Sequence, residues 1–212
     1  MKTILTILVL LQIGNIATAQ KTKKVYIKSD YPAYNETFYV LKSDKSIKHG
    51  LYTKRIKGSI FKQGQFEYGV KKGTWEYYDF NGDLVHKVDI ENKKLIFEKS
   101  PTNSPANQPK KYSRHLIVLG GMAGVYRQIQ YLLRYPATAR QKGMQGKVLV
   151  KLTFNDQGDL INLEVIEGPG DGLDEEAIRT MKLIDFETLP ALDLEGNPIQ
   201  SELILPITFK LG

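Results

Sequence analysis

The clearest structural signal in the chain is the alternation in residues 147–154, KVLVKLTF. Valine, leucine and phenylalanine occupy every second position from Val148 to Phe154, while lysine and threonine occupy most of the positions between them. This spacing predicts a β-strand with one buried face. The run NDQGD at residues 155–159 then predicts a turn, and residues 160–167 continue the alternation. The sequence therefore predicts an antiparallel hairpin.

A helix and a last strand are predicted to follow this hairpin. Leu173, Ala177, Met181 and Ile184 recur at helical spacing, and the acidic residues 174–176 lie in the first turn, where they complement the helix dipole. Apolar residues then occupy the odd positions from 203 to 211. Because proline lacks an amide hydrogen, Pro206 indicates that this last strand lies at the edge of the sheet. The helix can cover the apolar side of the hairpin.

Two short helices are predicted before the hairpin. Apolar residues at Met122, Val125 and Ile129, and at Leu132 or Leu133, form one face of an amphipathic helix. Tyr135-Pro136 interrupts this pattern, because the residue before a proline avoids the α region. A second helix over residues 136–142 is predicted to end at Gly143.

The first half of the chain contains an internal repeat. Gly50-Leu51-Tyr52 recurs 23 residues later as Gly73-Thr74-Trp75, and aromatic residues alternate with polar ones in Phe66-Glu67-Tyr68 and in Trp75-Glu76-Tyr77. This period predicts stacked antiparallel β-hairpins, with Asn81-Gly82 as one of the turns. Residues 39–90, and above all KKGTWEYYDFNGDL at 71–84, resemble MORN-like repeats. Families with such repeats use them to contact proteins or lipids; otherwise the aromatic residues simply fill the core of the sheet.

A linker separates the two halves. Residues 98–113, EKSPTNSPANQPKKYS, contain three prolines and mostly small or polar residues. Even in a fully extended form, about 15 residues at ~3.1 Å each reach only ~45 Å. We therefore expect a signal segment at 1–19, a β-repeat domain at 20–97, this linker, and a C-terminal domain at 114–212 with its core at 132–211.

The first residues are typical of a secretory signal peptide. Lys2 precedes an apolar run over residues 3–16, and Ala17-Thr18-Ala19 predicts cleavage before Gln20. We expect an exported protein in the periplasm or envelope, soluble once the segment is removed. A retained membrane anchor is the alternative. Cysteine is absent, so no disulfide framework is available.

The two halves differ in charge. Residues 20–114 contain twenty Lys/Arg and ten Asp/Glu, whereas residues 115–212 contain nine and thirteen, which gives net charges of +10 and −4. The lysines are spread through strand-like segments, without the clustering that phosphate binding favours. We therefore expect a solvated basic face and no nucleic-acid partner.

No catalytic pattern is evident. The three histidines, His49, His86 and His115, are far apart in sequence and lack partners at the spacing of metal ligands. We therefore expect no enzyme activity, no cofactor and no metal site.

One family resemblance is specific, and it covers residues 132–211. Its motifs occur in order as Tyr135-Pro136-x-x-Ala139-Arg140, Gly143, Gly146-Lys147-Val148, Gly158, Leu173-Asp174-x-x-Ala177, Pro190-Ala191, Gly196-x-Pro198 and Leu205-Pro206-Ile207-x-Phe209. This pattern resembles the TonB C-terminal domain. It departs from the family at Thr188, where a tryptophan is usual. The fold class expected is α+β, with an antiparallel β-repeat domain followed by a two-layer ββαβ domain.

The resemblance implies a site for a protein partner. In that family the last strand accepts a short peptide from an outer-membrane transporter by strand addition, and residues near Tyr-Pro touch the transporter's plug. The partner-binding residues expected on this basis are Arg134, Tyr135, Pro136, Glu202, Ile204, Pro206, Thr208 and Lys210. Packing at a helix start is an equally good explanation of Tyr135 and Pro136.

Three functions stay open at this point. The first is a non-catalytic envelope module that binds partner peptides by strand addition. The second is a TonB-type energy transducer, which would need a retained anchor and a linker longer than ~45 Å. The third is an envelope scaffold that forms a homodimer through its edge strand.

Overall fold

A computed structural model describes residues 20–30, 33–99 and 112–211. The predicted signal peptide, residues 1–19, lies outside the described residues, and so does most of the predicted linker. Among the helices that are described, none combines the length and the apolar character that crossing a membrane requires.

The N-terminal half forms one antiparallel sheet of seven strands within the described ranges, and neighbours in the sheet are also neighbours in the chain. The strands are β1 (Thr22–Asp30), β2 (Ala33–Leu41), β3 (Lys48–Ile56), β4 (Ser59–Glu67), β5 (Val70–Tyr78), β6 (Leu84–Asp89) and β7 (Lys94–Glu98). The predicted turn at Asn81-Gly82 joins β5 to β6, and Tyr78 lies opposite Leu84. The predicted succession of antiparallel hairpins is therefore present, while the MORN-like assignment stays a prediction.

Aromatic residues build the inner face of this sheet. Trp75 is fully buried, and its ring centroid lies 5.5 Å from that of Tyr52 and 5.3 Å from that of Phe66. Gly64 makes this packing possible, because a Cβ atom at that position would lie 2.3 Å from the indole ring. Because Gly64 of β4 has no side chain, the indole ring of Trp75 in β5 can pack directly against its backbone.

The C-terminal half contains ten further elements among the described residues. They are β8 (Ile117–Val118), α1 (Gly121–Leu132), α2 (Ala137–Gln141), β9 (Gly146–Phe154), β10 (Leu160–Glu167), α3 (Leu173–Leu183), β11 (Thr188–Leu189), β12 (Ala191–Leu192), β13 (Pro198–Ile199) and β14 (Ser201–Phe209). The predicted hairpin, helix and last strand appear as β9, β10, α3 and β14. They form a mixed α and β domain whose sheet has the order β10-β9-β14.

The core of this domain follows from the alternation in its strands. Val148, Val150, Leu152 and Phe154 of β9 are fully buried. They share one hydrophobic cluster with Leu205, Ile207 and Phe209 of β14 and with Val125, Ile129, Ala177 and Met181 of the helices. Because every second residue of a strand points to the same side, the helices cover one face of the sheet, while outer-face residues such as Ile161 and Ile204 are exposed.

The two halves are packed against each other. Leu119 and Leu189 belong to the same buried cluster as Trp75 and Tyr77 of the N-terminal sheet. Our expectation that the basic half presents its lysines to solvent is wrong for Lys62, whose side chain is only 5% exposed. The reason is a set of acidic partners in the C-terminal half, which are described below.

Candidate protein-binding edge

The strand β14 forms one edge of the C-terminal sheet. It pairs with β9 along its whole length, from Ser201 opposite Phe154 to Phe209 opposite Gly146, without a register shift. On its other side no strand is paired with it among the described residues. A regular ladder of unpaired backbone groups is a template for a further strand.

The opposite edge is less suitable as a template. The pairing of β10 with β9 shifts register between Leu160 and Asn162 and again between Val165 and Glu167. Such bulges bend and twist an edge strand and disrupt the spacing of its hydrogen-bonding groups. The regular edge at β14 therefore fits an added strand better.

Pro206 indicates which backbone groups of β14 face outward. Amide groups alternate sides along a strand, so odd-numbered and even-numbered residues of β14 point in opposite directions. If the even-numbered amides faced β9, Pro206 would leave a gap in the ladder. The amide of Leu211, an odd-numbered residue, donates to Oε1 of Gln145, the residue that precedes β9, at 3.0 Å. The even-numbered amides and carbonyls of β14 therefore face the free edge.

The outer face of β14 combines apolar and charged side chains. Ile204 is 52% exposed and lies opposite Lys151 of β9, while the partly exposed Pro206 lies opposite Leu149. The Lys151 ammonium is 3.0 Å from the Glu164 carboxylate of β10. The exposed side chains of Glu202, Thr208 and Lys210 complete the set of edge residues that the resemblance implied.

The three predicted residues near Tyr-Pro contact different elements of the fold. The ring of Tyr135 packs edge-on against Phe209 of β14 at 5.8 Å between centroids, and its hydroxyl donates to the carbonyl of Met144. Pro136 instead lies against Gly172 at the start of α3, where an added Cβ would be 3.5 Å from the proline Cβ. The amide of Arg134 donates to Glu176 of α3 at 2.6 Å. Thus Tyr135 supports the end of β14, whereas the other two residues contact α3.

A cleft of about 900 Å³ lies between the halves beside the first residues of β14. Its lining includes Val85 and His86 of the N-terminal sheet, Met122 of α1, and Glu202 and Leu203 of β14. Nδ1 of His86 accepts a hydrogen bond from the Gly120 amide at 3.1 Å. Burial lowers the pKa of His86, and the nearby Glu98 carboxylate only partly offsets this effect. The N-terminal half therefore borders one end of β14.

Sequence reasoning missed a cluster of charged residues between the halves. The Lys62 ammonium lies 2.6 Å from the Asp185 carboxylate and also pairs with Glu187. Glu187 further pairs with Lys71 at 2.6 Å and accepts a hydrogen bond from the Tyr77 hydroxyl. More than 100 positions separate these partners in the chain, so no local pattern could have revealed them.

The pKa values of the cluster reflect its burial and its pairing. Burial alone would lower the pKa of Lys62, but the carboxylates of Glu187 and Asp185 outweigh it and raise that pKa. Burial opposes the ionisation of Asp185, yet Lys62 and Lys54 lower its pKa to about 2. The pKa of Glu187 is likewise lowered, because Lys62 and Lys71 outweigh burial. Lys62, Asp185 and Glu187 therefore stabilise each other in their charged forms, whereas burial lowers the pKa of Lys71 despite its pairing with Glu187.

Comparison with known proteins connects the C-terminal half to one family. Residues 132–211 match the family described as the Gram-negative bacterial TonB protein C-terminal, so this segment is a TonB-like C-terminal domain. The chain is also 31% identical over 114 residues to Protein TonB of Vibrio cholerae serotype O1. That alignment covers 51% of this chain and 45% of the relative, so the chain spans less than half of the relative's length.

Among the described residues, no group of three or more His, Cys, Asp or Glu side chains could hold a metal ion.

Proposed function

We propose that this chain is an exported envelope protein whose TonB-like C-terminal domain binds an extended segment of a protein partner by strand addition. The guest segment would lie beside β14 as a fourth strand of the sheet β10-β9-β14. The observation that carries this proposal is the regular edge of β14, which pairs with β9 over nine residues without a shift.

The backbone of β14 offers enough binding energy for this task. Four to six backbone hydrogen bonds at roughly 0.5 to 1.5 kcal/mol each give several kcal/mol. That energy corresponds to a dissociation constant between about 1 μM and 1 mM, which suits reversible contacts. Ile204 and Pro206 add apolar area on the outer face, beside the guest. Binding of this kind requires no catalytic group.

The partner we propose is an outer-membrane transporter. This choice rests on the match of residues 132–211 to the TonB C-terminal family and on the similarity to Protein TonB. The predicted signal segment at residues 1–19 supports a location in the envelope, where the inner surface of the outer membrane is accessible. We assign the N-terminal sheet, as a MORN-like unit, a supporting role in these contacts. Pairing of two copies through β14 would compete for the same edge.

Replacing Thr208 with proline tests the proposal. Proline removes the outward amide of position 208 and places its ring in the path of a guest strand, while the bonds to β9 stay in place. We expect the binding of outer-membrane transporters from a detergent-solubilised envelope extract to fall by about tenfold or more. The measurement is quantitative mass spectrometry of the proteins retained on the immobilised chain.

Thr208→Val is the matched control, because valine keeps the amide and the β-branched shape. It should retain the same proteins as the original chain. Thermal unfolding must show that the proline variant is folded, and light scattering must show the same mass for all three chains. Equal retention by the folded proline variant would contradict docking at β14.

A further inference from the structure

The N-terminal sheet contacts one short segment of the C-terminal domain, residues 185–189, with the sequence DFETL. Asp185 and Glu187 meet Lys62, Lys71 and Tyr77 of the sheet, and we call these five residues the latch cluster. The pairs Lys62–Asp185 and Lys71–Glu187 are both 2.6 Å apart. Each half therefore supplies one sign of charge to the latch cluster.

In the packed chain, each side of the latch cluster supplies the charge partners of the other. The side chains of Lys62 and Glu187 are 5% and 18% exposed, so water cannot solvate them fully in this position. An unpaired buried charge is strongly unfavourable. Lys62 lies opposite Tyr77 within the sheet, and the carboxylates that pair with Lys62 belong to the C-terminal half. The two sets of charges are therefore complementary surfaces of one interface.

Apolar and backbone contacts extend this interface on both sides. Leu189 and Leu119 pack in the cluster around Trp75. Phe61 of β4 lies close to α1, because an added Cβ on Gly124 would be 3.3 Å from its ring. Arg127 of α1 donates to the Ile56 carbonyl of β3 at 2.8 Å. The contact therefore includes the surface of α1 as well as the segment 185–189.

We infer that the N-terminal sheet is a binding surface for the acidic segment 185–189 of the same chain. The two halves therefore form one rigid unit that holds together without the covalent linker. The partner of this surface is the same chain's own C-terminal domain. Because segment 185–189 follows α3 and precedes β14, the latch cluster fixes the N-terminal half relative to the proposed docking edge. This inference is independent of the proposed function, since it would stand even if β14 bound no guest.

Cutting the linker in the folded full chain tests the inference. A protease recognition sequence is inserted between Pro105 and Ala106, and the purified chain is cleaved under native conditions. We expect the two fragments to elute together from a gel-filtration column at about micromolar concentration, as a tight non-covalent complex would. Fragments that elute separately would overturn the inference.

Lys62→Met tests the latch cluster itself. Removing one member of a buried charge pair leaves its carboxylate partners unpaired, so we expect the association of the cleaved halves to weaken by about 100-fold or more. Lys72→Met is the matched control, because the Lys72 side chain is 41% exposed and pairs with Glu91 of its own half at 2.6 Å. This control should change the association by less than about threefold.

A second variant covers the case in which Lys62→Met fails to fold. Glu187→Gln removes the acidic partner from the other half and should weaken the association in the same direction. In the double variant the loss should be smaller than the product of the two single losses, because both act on one interaction. If the single variants associate as tightly as the original halves, or if their effects simply multiply, the latch cluster does not hold the halves together.

Discussion

Lys62 is buried in the basic half, and residues far along the chain set its environment. Its ammonium contacts Asp185 and Glu187, which follow it by 123 and 125 positions. Those carboxylates keep it charged in a place from which water is largely excluded. A lysine next to polar and apolar neighbours in a strand gives no local indication of this role.

Asp185 gives the interface a dependence on pH. Lys62 and Lys54 lower its pKa from 3.8 to about 2 in the folded chain. Because the folded pKa is the lower one, the unfolded chain binds a proton more readily. The stability that Asp185 contributes is therefore present above pH 3.8 and is lost as the pH falls towards 2.

We expect this contribution to be about 1 kcal/mol. The full shift corresponds to about 2 kcal/mol, and solvent screening of a carboxylate that is 43% exposed reduces it. In urea titrations, the difference in the free energy of unfolding between the original chain and Asp185→Asn should disappear as the pH falls from about 4 to 2. The control Asp30→Asn, whose side chain is 90% exposed, should follow the original chain at every pH. A constant difference over this range would contradict the assignment.

The element that matters most for the proposed function is β14. The sequence predicted this strand from the alternation over residues 203–211, and Pro206 predicted its place at the edge. The structure adds the direction in which its backbone groups point and the regular pairing with β9. It also shows that Pro136 and the Arg134 backbone contact α3.

The amides of β14 should therefore differ in hydrogen exchange. Outward-facing amides of Ile204 and Thr208 should exchange at least about tenfold faster than the inward amides of Leu205 and Ile207, because only the latter are bonded to β9. Exchange measured by NMR at single residues can resolve this alternation. Equal protection at all four positions would show that another segment covers the edge.

At the scale of the whole molecule, the halves share a buried core and a set of charges. Trp75 is the only tryptophan in the sequence and reports on the N-terminal sheet, while the methyl groups of Val150 and Leu152 report on the C-terminal core. If the halves form one unit, all three probes should show the same urea midpoint. Tryptophan fluorescence and methyl NMR on one sample provide this comparison. A separate, earlier transition at Trp75 would show that the sheet unfolds alone.

The same comparison applied to Lys62→Met should separate the transitions, because the latch cluster contributes to the coupling. The Lys72→Met variant is the control, and it should keep a single midpoint of urea unfolding. Coincident transitions in Lys62→Met would mean that the apolar contacts around Leu119 and Leu189 are sufficient for the coupling.

The sequence alone was enough to predict the hairpin, the helices, the last strand and the family of the C-terminal domain. Periods of two and of three to four residues identify strands and helices because these periods follow from backbone geometry, which is local. The motifs from Tyr135 to Phe209 then identified the TonB-like fold, and Pro206 identified its edge. How the halves are joined is visible only in the folded chain. The contacts of Lys62, Lys71 and Tyr77 with Asp185 and Glu187 depend on residues more than 100 positions apart, and no pattern in a single sequence encodes which of many lysines meets which acid.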